Sequence, residues 1–324
     1  MLVVDAMGGD LAPREIVLGV EEFVEETGKK VILVGRENQI KKEITKKGNS
    51  IFNIEIVEAP DVVAMDEKPT QALKKKNSSI WKGLELVKNS QAKGFFSAGN
   101  TGAVMASAVL CLGKINGIDR PAIITTLPTL TGQTFLIDAG ANVDVKPENL
   151  FQFAYMANIY LKTAFGYKNP KIAIISNGEE EGKGNELVKK TYPFLKENFS
   201  GFIGNIEGKD IFRGIADIIV ADGFVGNIIL KTSEGLAESI LTILSQEISC
   251  NLKTQVAGLL MKESLKKLKR RLDYAEYGGA PLLGVNGIVF IAHGRSQRKA
   301  VKNGLILMVN AIERGFIEKL AKGE

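Results

Sequence analysis

Three segments of the chain end an apolar run in small polar residues and then open a helical pattern, a local design suited to anions. In FFSAGNTGAVMASAVL the run closes at Ser97, turns through Gly99 and Asn100, and enters a helix at Thr101. Free backbone N–H groups, the positive helix end and short hydroxyl or amide side chains suit such a turn to phosphate. A plain capped αβ turn reads the same way, and Gly102 with its alanine neighbours permits close packing on either reading. In IAIISNGEEEGKGNELV the polar end carries Lys183 at the helix entrance. This is not a P-loop: Gly178 and Gly182 are too close together, and Gly184 stands where a magnesium-binding hydroxyl belongs. Leu187 likewise occupies the place of the third small residue of a dinucleotide fingerprint. Taken alone, Lys183 reads more readily as a solvated lysine than as chemistry. In ADIIVADGFVGNIILKTSEGLA the loop holds Asp222, Gly223 and Asn227, and Asn227 alone reads as a helix cap. Three such loops on one sheet can converge on a single anion.

The two chain ends add further candidates. DAMGGDLAPREI places Asp5 at a strand end and a Gly8-Gly9 turn before a helix begun by Pro13. It reads as a structural βα turn, with backbone packing near a site as the functional alternative. YGGAPLLGVNGIVFIAHGRS carries Gly278, Gly279 and Gly284, then a strand and His293, the only histidine. An isolated histidine is usually structural, but one at a strand end before Gly294 and Ser296 can donate to phosphate. A single histidine excludes multi-histidine metal sites, and no GxSxG accompanies it. Cys111 and Cys250 form no CxxC pair, so neither a disulfide framework nor a cysteine zinc site is read.

The elements that must position these residues alternate in βαβ rhythm. Strands are predicted over Leu2–Met7, Lys30–Gly35, Phe52–Ala59, Gly94–Ser97, Ala122–Leu127, Thr134–Asp138, Lys171–Ser176, Gly201–Gly204, Asp217–Ala221 and Gly287–Ile291. Helices are predicted over Pro13–Thr27, Glu37–Lys47, Ser79–Lys88, Thr101–Leu112, Pro147–Phe165, Asn185–Glu197, Gly226–Ile248 and Ser296–Ile317. The fold class expected is α/β, with a doubly wound, largely parallel sheet, helices on both faces and a site beyond the strands' carboxyl ends. With 324 residues and 45% hydrophobic content, a single α/β catalytic unit over residues 1–324 is expected, with a projecting helical segment at about 245–275. The net charge of +5 is mild and demands no nucleic acid. No basic leader with a cleavage site opens the chain, and no apolar run approaches the roughly 20 residues of a membrane span, so a cytoplasmic location is expected.

Two segments break the rhythm. DEKPTQALKKKNSS, Asp66 to Ser79, combines a proline with consecutive lysines and reads as a long, mobile loop. Between Cys250 and Leu272 the apolar stretch Val256–Met261 precedes a helix that sets Leu265, Leu268 and Leu272 beside Lys266, Lys267, Lys269, Arg270 and Arg271. That pattern favours an anionic surface, and equally a helical hairpin packed across a dimer.

In order from residue 5 to residue 296, DAMGGD, SAGNTGA, LIDAGAN, SNGEEEGKGNE, ADGFVGN, GGAPLLGVNG and AHGRS resemble the phosphate acyltransferase family of bacterial glycerolipid synthesis. The resemblance implies attack of phosphate on the thioester of a long-chain acyl carrier protein, giving acyl phosphate and free carrier. A downstream glycerol-phosphate acyltransferase would then use the acyl phosphate. It implies no cofactor and no metal, a homodimer, and a scaffold similar to phosphotransacetylases and to isocitrate and isopropylmalate dehydrogenases. By carry-over from EGKGNE and DGFVGN, Lys183 and Asn227 are the catalytic donors, while Ser97, Asn100, Thr101 and Gly102 cradle phosphate, with His293 as a further contact. The chemistry fits: a thioester is already activated and phosphate is itself the nucleophile, so the protein must supply placement and donors for the oxyanion and the departing thiolate.

The family's mobile loop commonly has a pattern like ALRRKKDSS, whereas Lys74 and Asn77 stand here, and Lys74 keeps charge without bidentate geometry. Lys74, Lys75 and Lys76 are expected to receive the acidic carrier or its phosphopantetheine, a solvated charge run being the alternative. Related family segments are implicated in peripheral membrane attachment, so Val256, Leu259 and Leu260 are expected to meet an anionic membrane. Two rival readings remain: a nicotinamide-dependent dehydrogenase on the same scaffold, disfavoured by the missing fingerprint, and a non-catalytic lipid or carrier-binding module, in which Lys183 and Asn227 would be dispensable.

Overall fold

A computed structural model of the chain describes residues 1–45, 53–272 and 278–322. The chain begins with β1 (Leu2–Asp5), α1 (Arg14–Thr27), β2 (Val31–Gly35), α2 (Glu37–Glu43), β3 (Ile54–Glu58), α3 (Ser79–Lys88), β4 (Gly94–Ser97) and α4 (Thr101–Leu112). A hairpin of β5 (Ala122–Thr129) and β6 (Gly132–Ile137) leads to α5 (Pro147–Tyr160), β7 (Ile172–Ile175), α6 (Glu186–Asn198), β8 (Phe202–Ile206) and β9 (Ile218–Val220). Next come α7 (Gly223–Ser249), α8 (Leu252–Leu260) and α9 (Lys262–Leu272), then β10 (Ala280–Leu283), β11 (Ile288–Ile291), α10 (Arg298–Glu313) and α11 (Phe316–Lys322).

All described strands join one 11-stranded sheet in the order β3-β2-β1-β4-β11-β10-β5-β6-β9-β7-β8. Strands β3, β2, β1, β4 and β11 run parallel to one another, as do β6, β9, β7 and β8. The two parallel sets are joined through β10 and β5, with antiparallel pairing at β11–β10, β10–β5 and β5–β6. The two sets therefore run in opposite directions. Strand β10 was not expected: APLL is short, contains Pro281 and is flanked by glycines, so its composition signals a turn. Yet this strand makes two of the three antiparallel pairings through which the sheet reverses.

Register then decides where the loops meet. Ser97 lies opposite Ile291 and Ile291 opposite Ala280, while Leu282 faces Ile123, Ile124 faces Ile137 and Ile137 faces Val220. Counting along these pairs puts the carboxyl ends of β4, β11, β6 and β9 at the same level to within about one residue, roughly 3.3 Å. Loops from two oppositely directed sets thus leave the sheet beside one another, at its centre.

Helices cover both faces, which is why strands such as LVVD and VILVG are buried at every position rather than alternating. On one face α1 presents Ile16, Val17, Val20, Phe23 and Val24 at helical spacing, in one core with Val301, Leu305 and Met308 of α10. On the other, Ile80 and Leu84 of α3 pack with Ala103, Val104 and Ala108 of α4 around Phe95. Two helix boundaries differ from expectation. The last helix is split by Gly315, whose φ of 69° ends α10. Helix α2 stops at Glu43, and the expected extension to Lys46 and Lys47, like the expected strand start at Phe52, lies outside the described residues.

The projecting segment starts earlier than position 245. Along the whole of α7 only Gly223 and Gly226 are buried, and α8 buries no residue. At the far turn Leu259 is 71% and Leu260 85% exposed. Helix α9 returns to the body, where the Arg271 guanidinium donates to the Thr129 and Leu130 carbonyls at 2.7 and 2.6 Å. Arg271 therefore grips protein rather than joining a wholly solvent-facing basic stripe.

At the root of α7, a methyl group on Gly226 would collide with the Asp138 carbonyl. Gly226→Ala must displace the helix start, and urea unfolding should register a loss of about 1–3 kcal/mol.

Candidate active site

Two buried carboxylates shape the turns at the centre of the sheet. Asp5, at the end of β1, accepts from the Met7 N–H at 3.0 Å and from the Ser97 hydroxyl at 2.7 Å. The Ser97 oxygen in turn accepts from Gly99 N–H at 3.0 Å. Gly8 packs into this knot: a Cβ there would lie 2.5 Å from Asp5 Oδ2 and 2.7 Å from Gly99 N. Burial pushes the Asp5 carboxyl up, and the hydroxyls of Ser79 and Ser97 with the N–H groups of Met7 and Gly8 draw it back. Ser97 is thus committed to the interior and does not line the cavity described below.

Asn100 is similarly occupied. Its Oδ1 caps α4 by accepting from Ala103 N–H at 2.9 Å, and its Nδ2 donates to the carbonyls of Ala64, Met65 and Glu67. It clasps the segment preceding α3 onto the α4 turn. Gly102 packs against Pro69 of that segment, where a Cβ would come within 2.8 Å of the ring. The stretch expected to be a long mobile loop is therefore held down, and it forms one helical turn at Pro69–Ala72. Its lysines divide. Lys75 donates to Glu67 at 2.7 Å and to the Val62 carbonyl at 2.9 Å, the Lys76 ammonium sits 3.0 Å from the Trp81 ring centroid, and Lys74 is exposed. Lys75 accordingly serves the loop's own closure.

Asp138, at the end of β6, is the second buried carboxylate. It accepts five N–H donors: the backbones of Ile123, Gly140, Ala141 and Asn142, and the Asn142 side chain, at 2.7 to 3.3 Å. Burial pushes this carboxyl up as well, against the pull of those donors. The turn so formed seats α7. Gly226 rests against the Asp138 carbonyl, and Asn227 packs on Gly140, whose φ of 131° holds the turn in a glycine-only conformation. Asp222, rather than Asn227, caps the helix by accepting from Val225 N–H at 2.9 Å. Asn227 is left exposed on the first turn.

Thr101, Asn227 and His293, contributed by three separate loops, line a single cavity of about 610 Å³ together with Gly140. Lys231, one helical turn beyond Asn227, also lines it and pairs with Glu234 at 2.7 Å. The His293 Nδ1 accepts from Arg295 N–H at 3.1 Å, which places the imidazole proton on Nε2 in the neutral ring. Burial, then the Lys231 charge, lowers the His293 pKa from its ordinary value of 6.5, so the ring is neutral at pH 7.

Lys183 is not on that lining. It is exposed on the loop between β7 and α6, folded over Gly178, with its N–H bonded to the Glu180 carbonyl at 2.9 Å. The same loop borders a second cavity of about 450 Å³, lined by Ser176, Asn177, Gly184 and Asn185 and by Asp222 and Val225 at the start of α7. Lys183 itself lines neither cavity, whereas Asn227 lines the first. Among the described residues the acidic group Glu179, Glu207 and Asp210 is close enough to share a cation, but Lys209 pairs with the two glutamates and Arg213 with Asp210. These carboxylates already have their counter-charges.

Asp138 and Lys231 were missed as site residues. Asp138 had a signal, since DAGAN opens with the same strand-end Asp-Ala pair as DAMGG; Lys231 had another, its four-residue helical spacing from Asn227.

A family model described as fatty acid synthesis protein matches residues 1–319. A phosphate acyltransferase of Carboxydothermus hydrogenoformans is 74% identical over 324 residues, covering 100% of this chain and 98% of that protein. A phosphate acyltransferase of Dictyoglomus turgidum is 50% identical over 325 residues, covering 99% and 97%. The chain belongs to the phosphate acyltransferase family. The family is one of transferases, in fatty acid and lipid biosynthesis. Its fold in this chain is shared with a phosphotransacetylase of Streptococcus pyogenes, at TM-score 0.63 and 17% identity over 96% of this chain and 93% of that one. It is also shared with a 4-hydroxythreonine-4-phosphate dehydrogenase of Klebsiella pneumoniae, at TM-score 0.58 and 13% identity over 96% and 99%. The expected scaffold is thus found, and it serves transferases and dehydrogenases alike.

Two outcomes follow from these buried groups. Asp138→Asn turns an amide N–H₂ toward N–H donors, and chemical denaturation should show a loss of about 2–4 kcal/mol. Because folding lowers the His293 pKa, the unfolded chain binds more protons as the pH drops below 6.5, and stability falls through that window. His293→Gln should therefore lose less stability than the parent on going from pH 7 to pH 5, as read from thermal melts.

Proposed function

We propose that the protein transfers a long-chain acyl group from acyl carrier protein to inorganic phosphate, releasing free carrier and acyl phosphate for glycerophospholipid synthesis. The observation that carries this reading is the meeting of Thr101, Asn227 and His293 in one cavity that also has a large apolar wall. Neutral donors and one paired lysine can hold phosphate without quenching its nucleophilicity, while the apolar wall accepts the other reactant. A phosphate oxygen attacks the thioester carbonyl; the carbonyl electrons move onto oxygen and return as the C–S bond breaks, and the carrier leaves as thiolate. The Asn227 amide, the Thr101 hydroxyl and the His293 Nε2–H are assigned to phosphate and the developing oxyanion, with Lys231 supplying charge. Lys183, expected together with Asn227 as a donor to the oxyanion and the departing thiolate, lies outside the cavity lining and is assigned the thiolate, to be reached by movement of the β7–α6 loop. Ser97, Asn100 and Gly102 support phosphate binding indirectly, by fixing the turn that presents Thr101.

The remaining partners follow from the surface. Lys74 and Lys76, exposed on the segment preceding α3, offer an acidic carrier a docking point. Phe224, Ile228, Leu236, Ile240 and Ile243 leave an apolar stripe exposed along α7, which a second copy of the chain would cover as a homodimer. No helix described is long and apolar enough to cross a membrane. Val256, Leu259 and Leu260 at the hairpin tip, followed by the basic α9, would instead hold a cytoplasmic protein to an anionic membrane, near the downstream glycerol-phosphate acyltransferase.

Palmitoyl-loaded carrier incubated with enzyme should release free carrier only when phosphate is added; phosphate-independent release, or none, would defeat the reading. Asn227→Ala should lower kcat by roughly 10²–10³, as for loss of an oxyanion donor. In flotation with anionic liposomes, Leu259→Asp with Leu260→Asp should leave the protein at the bottom of the gradient while the dimer persists in sedimentation.

A further inference from the structure

The cavity does not end at its polar groups. Away from Thr101, Asn227 and His293 it runs along the β5–β6 hairpin, with Leu127, Pro128 and Leu130 on the strand side, Leu230 and Ala237 on α7, and Leu268 on α9. Leu130 is 77% exposed and Leu268 41%, so this limb is an open apolar surface rather than part of the packed core. The Arg271 guanidinium, bonded to the carbonyls of Thr129 and Leu130, fixes α9 against the hairpin and keeps Leu268 over the limb. The total volume of about 610 Å³ falls within the roughly 300–1,000 Å³ of small-molecule sites. A cavity lined by hydrogen-bond donors together with many aliphatic side chains suits an amphiphile with a short polar head.

We propose that this limb is the seat of the acyl tail: an unbranched aliphatic chain whose carbonyl lies at Thr101, Asn227 and His293 and whose methylenes extend between the β5–β6 hairpin and α7 to Leu268. The assignment rests on the acyl-transfer reading and adds to it the residues that set chain length. The occupant is identified by composition: apolar surface makes up most of the lining and shares one cavity with the reacting groups, while Ser233, Glu234 and Arg271 line it as well. Ala237 is the position to test, because a bulky side chain there would enter the cavity that Leu230 and Leu268 also line. Leu268 belongs to the helix that follows the apolar tip at Leu259 and Leu260, so the wall over the tail is continuous with the hairpin.

The test compares Ala237→Trp with the parent, using carrier loaded with palmitoyl or butyryl groups. The ratio of kcat/KM for palmitoyl over butyryl should fall at least tenfold in the variant. Leu268→Trp, at a partly exposed position that tolerates bulk, should shift the ratio in the same direction and guards against misfolding of the first variant. Calorimetric titration with alkyl phosphonates of 4 to 12 carbons provides a reading independent of turnover. Affinity in the parent should rise by roughly fourfold for each methylene that enters the limb, the fold-change equivalent of about 0.8 kcal/mol, and both tryptophan variants should abolish that increment. An unchanged ratio with a full increment in both variants would overturn the proposal. So would dimer dissociation with equal loss for both chain lengths, which would assign the limb to a second copy. Failure of the parent to turn over any carrier, with the increment present and removed by tryptophan, would sink the acyl-transfer reading and leave the limb as an alkyl site.

Discussion

A carboxylate taken out of water must be supplied with donors, and at the end of β6 the chain supplies Asp138 with five N–H groups. Four of these are backbone amides, so satisfying the charge dictates the path of residues 139–142 and ties that turn to β5 through Ile123. The turn then offers its carbonyl and Gly140 as the floor on which Gly226 and Asn227 rest. Asp5 does the same for the other parallel set, where the Ser97 hydroxyl and a closely packed Gly8 fix the turn that presents Thr101. The candidate catalytic groups themselves make few internal bonds. Their positions are inherited from acids that never reach the cavity.

These two turns face a common space because of the sheet's reversal. In a wholly parallel sheet every strand would end at one edge, and the loops after β4 and β9 would leave in the same direction. Here β10 and β5 join oppositely directed sets, and the register offsets them until their carboxyl ends are level at the centre. The cavity opens between the sets, and its apolar wall is the part of the β5–β6 hairpin that extends past the neighbouring strands. Polar groups come from strand ends and apolar surface from the hairpin and α7, so one geometric device provides both halves of the site.

Helix α7 carries these local arrangements outward. Its first three turns place Asn227, Leu230 and Lys231 in the cavity, Ala237 follows along the same wall, and its distal part leads by way of α8 to the exposed tip at Leu259 and Leu260. Its return, α9, is fastened at Arg271 to the β5–β6 hairpin. An amphipathic element that spends little of its surface on the core is costly to leave in water, and the exposed stripe from Phe224 to Ile243 marks it as a surface to be covered.

Much of the fold was legible in the chain alone. Continuous apolar strands and periodic helices announce a doubly wound sheet, since a strand covered on both faces has no polar side to alternate. The spacing of SAGNTGA, EGKGNE and ADGFVGN marked the loops, and Thr101, Asn227 and His293 do meet. What the residues could not disclose was direction and occupancy. APLL carries no strand signal, so two of the three antiparallel pairings that reverse the sheet were invisible, and with them the level at which distant loops end. Ser97 and Asn100 have the right chemistry for an anion, yet their hydrogen-bonding capacity is taken by Asp5, by Ala103 and by the carbonyls of residues 64–67. Lys183, by contrast, lies outside the cavity lining. Residue type determines what a group is able to bind; which partner lies within 3 Å of it is decided by contacts far apart in the chain, and only the folded structure contains those.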